Sequence, residues 1–300
     1  MRVIARPGLS WGGSPEEGGV FGIRERYHGA SLPQWLSKGG HLSSRFFGPD
    51  AWGPLAAAWV AFWAGHEDAV LWIRTDDASP EPMPVSLFFR SGDDLRPIDR
   101  EALARVRGRV LDGGAGVGSL ALILQERGVP VVAAEVVPEG VAIMKERGVR
   151  EVIGAPLEAL QPGGAFDTIL LLMNGTALAG TLGGVSTFLD TLDGLLAPGG
   201  QILMDSTDLL DGETWAESRG DTGQAGWRLE DPYPGELHYQ MEFNGERGAP
   251  FPQLFLDPGT LIRVAGERGW QVEVVWEGHG GEYLACLTRE EPEEPTTTRA

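Results

Sequence analysis

The sequence predicts an α/β protein with a doubly wound, mostly parallel sheet, an antiparallel last strand and an inserted β-hairpin. Three observations predict this fold class. From Gly108 onward, apolar strand-like segments alternate with helical ones, which is the pattern of parallel strands joined by crossover helices. A loop with four glycines, VLDGGAGVG at 110–118, follows the first of these strands. Two apolar segments close the pattern and are separated only by HGG, which is short enough to join an antiparallel pair.

Length and composition limit the class of protein. With 300 residues and 42% apolar composition, the chain can bury a sizeable core as one large domain or two modest ones. It contains no run of about eighteen apolar residues, and its start, MRVIARPGLSWGGSPEE, lacks the apolar run of a signal peptide. The single cysteine, Cys286, excludes an internal disulfide and a cysteine-cluster zinc site. We therefore expect a cytoplasmic protein that does not enter a membrane.

The charge argues against nucleic acid as a partner. The formal net charge is -19, whereas binding to DNA or RNA is driven by neutralisation of phosphates and needs a basic surface. Part of the excess lies in EEPEEPTTTRA at 290–300. That composition predicts a disordered acidic tail.

The first 107 residues divide into two segments. Residues 1–48 are rich in Gly, Ser and Pro, which predicts a loosely ordered extension. Residues 49–107 are expected to form a helical cap segment, with a first helix at 51–65, a short strand AVLWIRT, a proline-rich loop and a second helix from about Asp99 to Arg107. The first helix places large apolar side chains three and four residues apart, which predicts one strongly apolar face. These side chains are Trp52, Leu55, Trp59, Phe62 and Trp63.

Residues 108–289 are expected to form the main domain. Its parallel strands are predicted at RVLD, PVVAAEV, VREVIG, FDTILLLM and QILMDS. Its helices are predicted at SLALILQERG, EGVAIMKERG, about 185–197 and PGTLIRVAGERG. Two of these helices end at a glycine, Gly128 and Gly148, the residue that most easily adopts the left-handed conformation after a helix. WQVEVVWEG and EYLACLTR form the predicted closing pair.

An insertion at about 208–256 interrupts this domain. The segment ELHYQMEFNGERGAPFPQLFLD alternates apolar and polar residues on either side of NGERG, which predicts a β-hairpin. Such a hairpin covers a substrate, contacts a second subunit in a homo-oligomer, or extends the core. The sequence leaves these three alternatives open.

The glycine-rich loop is the strongest sign of a ligand site. GVGSLA matches the G-x-G-x-x-G/A dinucleotide pattern with Gly116, Gly118 and Ala121, and Glu135 stands near the distance expected for an acid that binds ribose hydroxyls. Asp112 argues against a dinucleotide, because its carboxylate would repel a pyrophosphate beside the loop. S-adenosylmethionine has no phosphate and carries a sulfonium and an ammonium group. The loop therefore suits this cationic nucleoside better than NAD.

Four motifs in order resemble those of the class I S-adenosylmethionine-dependent methyltransferases. VLDGGAGVG is similar to their cofactor-binding loop, and Glu135 to their ribose-binding acid. FDTILLLMNG is similar to their fourth-strand segment, and LLAPGGQILMDS to their fifth-strand motif. The resemblance covers about 108–206, and the helix and two strands at 257–289 fit the family's seven-stranded, Rossmann-like sheet. It implies a methyltransferase with S-adenosylmethionine as its cofactor.

The resemblance also implies roles for individual residues. Asp112 would lie near the methionine part of the cofactor, and Glu135 would bind both ribose hydroxyls. Where the family often has an acid for the adenine amino group, this chain has Ala155 and Pro156. The backbone N–H of Leu157 is the expected donor to the adenine ring instead. The glycines that would let the loop approach the cofactor are Gly113, Gly114, Gly116 and Gly118.

The substrate side is less informative. Asn174, in LLMNGT at the carboxyl end of the fourth strand, faces the substrate and cofactor or stabilises the NG turn. Arg90, in LFFRSG, reaches the cofactor carboxylate or lies at the surface. Asp205 and Asp208 in MDSTD weakly resemble the carboxylates of metal-dependent methyltransferases. Their spacing and neighbours do not match that site, so no metal is expected.

Two histidines are candidate general bases. His238 alternates away from the apolar face of the predicted hairpin, and His279 lies in a glycine-flanked turn near the end of the sheet. The ordinary pKa of histidine lies near neutrality, so either imidazole suits proton transfer. The alternative for each is a solvated surface histidine.

The sequence therefore predicts methyl transfer from S-adenosylmethionine to a small-molecule acceptor. Methyl transfer is a direct displacement on the sulfonium methyl, so alignment in a dry pocket supplies most of the catalysis and no triad is needed. The alternatives are a non-catalytic cofactor-binding or scaffold protein of the same fold and an NAD-dependent oxidoreductase. No motif identifies the acceptor atom or the oligomeric state.

Overall fold

A computed structural model describes residues 49–75, 79–209 and 233–289. The predicted extension, the acidic tail and the first part of the insertion lie outside these residues. The helices are α1 (Pro49–Trp63), α2 (Pro97–Arg105), α3 (Ser119–Glu126), α4 (Pro138–Arg147), α5 (Val185–Leu195) and α6 (Pro258–Gly266). The strands are β1 (Val70–Arg74), β2 (Glu81–Pro84), β3 (Val110–Gly113), β4 (Val131–Ala134), β5 (Val152–Ile153), β6 (Phe166–Leu171), β7 (Leu196–Thr207), β8 (Glu236–Phe243), β9 (Glu246–Arg247), β10 (Phe251–Leu254), β11 (Trp270–Glu277) and β12 (Glu282–Arg289).

A seven-stranded sheet forms the centre of the molecule. Its strand order is β11-β12-β7-β6-β3-β4-β5. The pairs among β3 to β7 are parallel, whereas β12 runs antiparallel to both β7 and β11. This arrangement confirms the predicted fold class. The last strand along the chain lies inside the sheet, between β7 and β11, rather than at its edge.

The central strands are apolar because both faces of the sheet are covered. Strands β3 and β4 are buried at every residue, as expected for parallel strands beneath helices on either side. One buried cluster joins α5 and α6 to one face through residues such as Leu111, Leu189 and Leu261. A second joins α2, α3 and α4 to the other face through residues such as Val110 and Met144.

A second, antiparallel sheet joins the N-terminal segment to the insertion. Its order is β10-β8-β1-β2, with β9 also paired to β8. Strand β1 pairs with β8 so that Ile73 lies opposite Met241, and the Arg74 guanidinium contacts the Glu242 carboxylate at 2.7 Å. The sequence predicts β1 and the hairpin separately but not their pairing. The two segments therefore form one layer.

Helix α1 packs between this second sheet and the central domain. Leu55 and Trp59 are buried, and with Phe243 and Phe251 of the sheet they form a third apolar cluster. Trp63 differs from the prediction, because it is 43% exposed. We call α1 and the second sheet the cap layer. Within the described ranges, no helix has both the length and the apolar character needed to cross a bilayer.

Candidate functional site

The candidate site lies at the carboxyl edge of the parallel strands. After β3 the chain crosses to β4 on one side, and after β6 it crosses to β7 on the other side. Ligands of open α/β sheets bind where the connections of two neighbouring strands run in opposite directions. The loops after β3, β4 and β6 meet at this edge, together with the end of β7. The edge thereby brings together Asp112, the glycine loop, Glu135, the Met173–Gly175 turn and Asp205.

The glycine loop requires its glycines for two reasons. Gly114, Gly116 and Gly118 have φ values of 69°, 58° and 82°, in the left-handed region that side chains with a Cβ avoid. Packing restricts the loop as well, since a Cβ on Gly113 would lie 2.6 Å from Leu171 Cδ2. A Cβ on Gly118 would lie 2.7 Å from Met144 Cγ. The result is a close-packed loop at the carboxyl end of β3 in which the backbone of Gly114 is exposed and that of Gly116 is partly buried.

Glu135 connects this loop to the end of β4. Its Oε2 accepts the backbone N–H of Gly116 at 2.7 Å, and its Oε1 accepts those of Val136 and Val137 at 2.7 and 2.9 Å. Burial raises the pKa of this carboxyl, and the three backbone donors oppose that shift. A carboxylate has about four acceptor positions. The described residues use three, which leaves about one for a ligand hydroxyl. The predicted contact with both ribose hydroxyls stays a prediction.

Asp112 contributes a buried carboxylate oxygen that is unpaired within the part of the chain that the structure describes. Its Oδ2 accepts no hydrogen bond from the described residues. Burial raises the pKa of this carboxyl to about 7, although the Arg90 charge opposes the shift. Buried polar atoms are rarely left unpaired, so this oxygen points to a donor on a ligand. An ammonium group is the expected donor.

Arg90 is buried beside Asp112 and is not a surface arginine. Its Nε and Nη2 donate to the Asp99 carboxylate at 2.6 and 3.1 Å, and its Nη1 donates to Leu87 O at 2.7 Å and Met173 Sδ at 3.2 Å. The surface alternative is therefore wrong. These bonds use four of the five N–H groups of a guanidinium. One N–H is left for the predicted contact with a cofactor carboxylate.

Asp99 also belongs to this network. The sequence predicts this residue only as the start of the second helix. Its carboxylate accepts hydrogen bonds from Arg90 and from the backbone and side chain of Arg96. Burial alone would raise its pKa, but Arg96 and Arg90 hold the pKa below its usual value. One feature of the sequence points to Asp99: it is the third residue of α2, a position where an acid caps the first turn of a helix.

The turn after β6 is held in a strained conformation. Met173 and Asn174 have φ values of 69° and 66°, which is costly for residues other than glycine. The Asp205 carboxylate accepts the N–H groups of Met173 and Gly175 at 3.0 and 2.8 Å. Burial raises the pKa of Asp205, and Arg96 opposes that shift.

The Asn174 side chain is bonded within the protein. Its Nδ2 donates to Leu254 O at 3.0 Å, and its Oδ1 accepts from Thr176 Oγ1 at 3.1 Å and Ser206 Oγ at 3.2 Å. These contacts favour the alternative in which Asn174 stabilises the turn. A contact of Asn174 with the substrate or cofactor stays a prediction.

The remaining predicted residues separate into two groups. His279 is exposed in the turn before Glu282, whose backbone pairs with Thr207 at the end of β7, so it lies at the carboxyl edge. Leu157 is buried after β5, and its Cδ1 lies 3.2 Å from the Cβ position of Gly113. His238 is exposed on β8 in the second sheet. His279 and Leu157 thus lie at the site edge, whereas His238 lies in the second sheet, and a contact of His238 with the acceptor stays a prediction.

This fold and this site define a class I methyltransferase, and comparison with known proteins agrees. A methyltransferase domain model matches residues 91–273. A solved S-adenosylmethionine-dependent methyltransferase from Bacteroides fragilis, in complex with S-adenosyl-L-homocysteine, is 34% identical. The match covers 81% of this chain and 97% of that chain, with a TM-score of 0.70. The chain therefore belongs to the S-adenosylmethionine-dependent methyltransferase family.

Other solved structures are more distant. A DhpI-SAM-HEP complex is 21% identical over 64% of this chain and 85% of that chain, with a TM-score of 0.48. The CcbJ methyltransferase from Streptomyces caelestis is 17% identical over 65% of this chain and 91% of that chain, with a TM-score of 0.49. No curated protein sequence matches the chain at a significant level.

S-adenosylmethionine is the cofactor of this enzyme, as the sequence predicts. The residues present fit it: the loop exposes the backbone of Gly114, Glu135 keeps acceptor capacity, and Asp112 Oδ2 lacks a donor among the described residues. The methyltransferase prediction is confirmed over the scaffold and the NAD-dependent alternatives.

Proposed function

We propose that this methyltransferase acts on a small-molecule acceptor. The observation that carries the proposal is the position of the cap layer, which contacts the segments after β3, β4 and β6, while the residues just after β10 contact the end of β7. Trp59 packs on Gly116 after β3, and Val137 after β4 belongs to the apolar cluster of the cap layer. Leu254 O of β10 accepts the Asn174 amide after β6, and Leu256 N donates to Ser206 Oγ of β7.

In this proposal the acceptor approaches the methyl group at this edge, next to the cap layer. A site beside a covering layer suits a small molecule better than a folded protein surface. The net charge of -19 disfavours polyanionic acceptors. Burial of Met241, Phe243 and Phe251 shows that the hairpin also extends the core. A contact with a second subunit through this hairpin stays a prediction.

The chain's own residues act mainly by binding and orientation. Bound S-adenosylmethionine supplies an electrophilic methyl group on a sulfonium. Asp112 would hold its ammonium group, Glu135 its ribose, and the last N–H of Arg90 its carboxylate. The Arg90–Asp99 pair is rigid because both side chains are buried, so it fixes that end of the site. Alignment of the acceptor with the methyl group accounts for most of the expected rate enhancement.

An acceptor that carries a proton also needs a base. We propose His279 for this role, because it is exposed at the carboxyl edge, beside the end of β7. His238 lies on the second sheet, where it is exposed. An amine acceptor that is already deprotonated would make the base unnecessary.

The test uses S-adenosylmethionine with a labelled methyl group and a cell extract divided into metabolite, protein and nucleic-acid fractions. We expect label in a small molecule that gains one methyl group, with an equal amount of S-adenosylhomocysteine. The matched control is Asp112→Asn, which should reduce the label in that molecule. Label in the protein or nucleic-acid fraction alone would contradict the small-molecule proposal while leaving the methyltransferase assignment intact.

A further inference from the structure

Trp59 of α1 packs directly on the cofactor loop. Its ring atoms Cζ2 and Cη2 lie 3.6 and 3.8 Å from the position that a Cβ on Gly116 would occupy. Its Cζ3 lies 2.9 Å from the Cβ position of Gly140, the third residue of α4. A side chain at Gly140 would clash with the indole ring, whereas a Cβ at Gly116 would lie in ordinary van der Waals contact with it. Trp59 therefore packs against both the cofactor loop and the start of α4.

The indole N–H of Trp59 is buried and makes no hydrogen bond to the residues that the structure describes, and only 2% of the residue is exposed. On the same helix, Trp63 Nε1 donates to Glu146 Oε2 at 2.8 Å. Nε1 of Trp52 and Nε1 of Trp270 likewise make no hydrogen bond to the described residues, but of these three residues only Trp59 has its ring against the cofactor loop. A buried donor that remains unpaired is costly and rare, and it calls for an explanation.

The surroundings of Trp59 lie on the ribose side of the predicted cofactor site. Gly116, which the ring covers, donates its N–H to Glu135 Oε2. Gly140, the other glycine against the ring, has its Cβ position 3.2 Å from Glu135 Cγ. The ring, the loop and the acid that is expected to bind the ribose thus share one corner of the site. Asp112 and Arg90 form the opposite, amino-acid end.

We propose that Trp59 is a cofactor-binding residue whose indole N–H donates a hydrogen bond to a ribose oxygen of bound S-adenosylmethionine. The ribose would then be held from two sides, by Glu135 as an acceptor and by Trp59 as a donor. Because Trp59 belongs to α1, the cap layer then contributes to binding the cofactor as well.

The test compares Trp59→Phe with the unchanged protein by calorimetric titration. S-adenosylhomocysteine and 5′-methylthioadenosine are the two ligands, since the second keeps the ribose and adenine but lacks the amino-acid part. We expect the variant to bind both ligands about three- to tenfold more weakly, the loss typical of one hydrogen bond. The matched control is Trp52→Phe on the same helix, whose ring lies 5.3 Å from that of Phe251 in the second sheet. Its affinities should not change.

Three outcomes would overturn the proposal. They are unchanged affinity of Trp59→Phe for both ligands, a loss for S-adenosylhomocysteine alone, and an equal loss in Trp52→Phe. If Trp59→Phe does not unfold cooperatively on heating, the titration uses a second variant instead. This variant carries at position 59 an isosteric tryptophan analogue in which sulfur replaces the indole N–H. The analogue keeps the packing and removes only the donor, so unchanged affinity for both ligands would again overturn the proposal.

Discussion

Asp112 is a predicted cofactor-binding residue whose carboxyl has a pKa in the neutral range. Its pKa rises from 3.8 to about 7 because the carboxyl is buried. A pKa that is raised in the folded state contributes stability below about pH 4, and this contribution is lost as the pH rises through about 7. The ionised carboxylate is therefore unfavourable in the free protein. A bound cation would stabilise it.

We expect the affinity for S-adenosylmethionine to rise between about pH 6 and pH 8, by up to about tenfold, as Asp112 ionises. Calorimetric titration across this range measures the effect. Asp112→Asn should bind more weakly above pH 7 and show a flatter profile, because the amide does not titrate. Parallel profiles for both proteins would assign the pH dependence to another group.

Glu135 supports the loop as well as the expected ribose contact. Glu135→Ala leaves the N–H groups of Gly116, Val136 and Val137 without their acceptor. We expect the free energy of unfolding to fall by about 1–3 kcal/mol and the S-adenosylmethionine affinity to fall at least about tenfold. Thermal unfolding and titration measure the two effects. Glu126→Ala, at an exposed site on α3, is the matched control. A large loss of stability with unchanged affinity would leave Glu135 with a structural role only.

At the scale of elements, the turn after β6 depends on one side chain from β7. The left-handed conformations of Met173 and Asn174 cost on the order of 1–3 kcal/mol each. Asp205 offsets this cost by accepting two N–H groups of the turn. The hydrogen bonds from the turn to Asp205 thereby fix the backbone at the carboxyl edge of two neighbouring parallel strands.

Asp205→Ala should lower the free energy of unfolding by about 1–3 kcal/mol, because two backbone donors lose their acceptor. Chemical denaturation measures this change. Asp68→Ala, at an exposed site before β1, serves as the control and should leave stability within about 0.5 kcal/mol. Equal stability of the two variants would mean that the bond from Asn174 to Leu254 is sufficient to hold the turn.

At the scale of the whole molecule, the cap layer links the chain's N-terminal segment, its insertion and its cofactor loops. Ala249 N donates to Asp50 O at 3.1 Å, so the insertion also contacts the start of α1. Removal of α1 would expose the apolar side chains of the second sheet. Residues 1–48 lie outside the described residues. Because their sequence predicts a loosely ordered extension, we expect them to be dispensable for cofactor binding.

Two truncations test this organisation. A chain that starts at Pro49 should unfold cooperatively and bind S-adenosylmethionine like the full chain. A chain that starts at Glu67 lacks α1 and should lose both properties, since burial of a large apolar side chain stabilises by about 1.5–3 kcal/mol. Thermal unfolding and titration compare the three proteins. Loss of binding on removal of 1–48 alone would make that segment part of the site, and a binding-competent chain from Glu67 would show that α1 is not part of the core.

The alternation of strands and helices, the glycine loop and Glu135 were predictable from sequence, because each depends on local patterns. Apolar runs indicate strands that are buried on both faces, and glycines mark backbone that needs positive φ. These signals predicted the central sheet, the methyltransferase family and the cofactor. Arg90 was ambiguous, because an arginine is surface-exposed unless a buried partner such as Asp99 neutralises it.

Only the tertiary structure decided the pairing of β1 with β8, the burial of Arg90, and the contact of Trp59 with the cofactor loop. An amphipathic pattern shows which face of a helix or strand is apolar, but it does not show which distant segment covers that face. Such contacts depend on how elements far apart in the chain pack in three dimensions. The sequence by itself determined the class of enzyme and its cofactor, whereas long-range packing determined how the cap layer lies against the cofactor loop and the ends of the parallel strands.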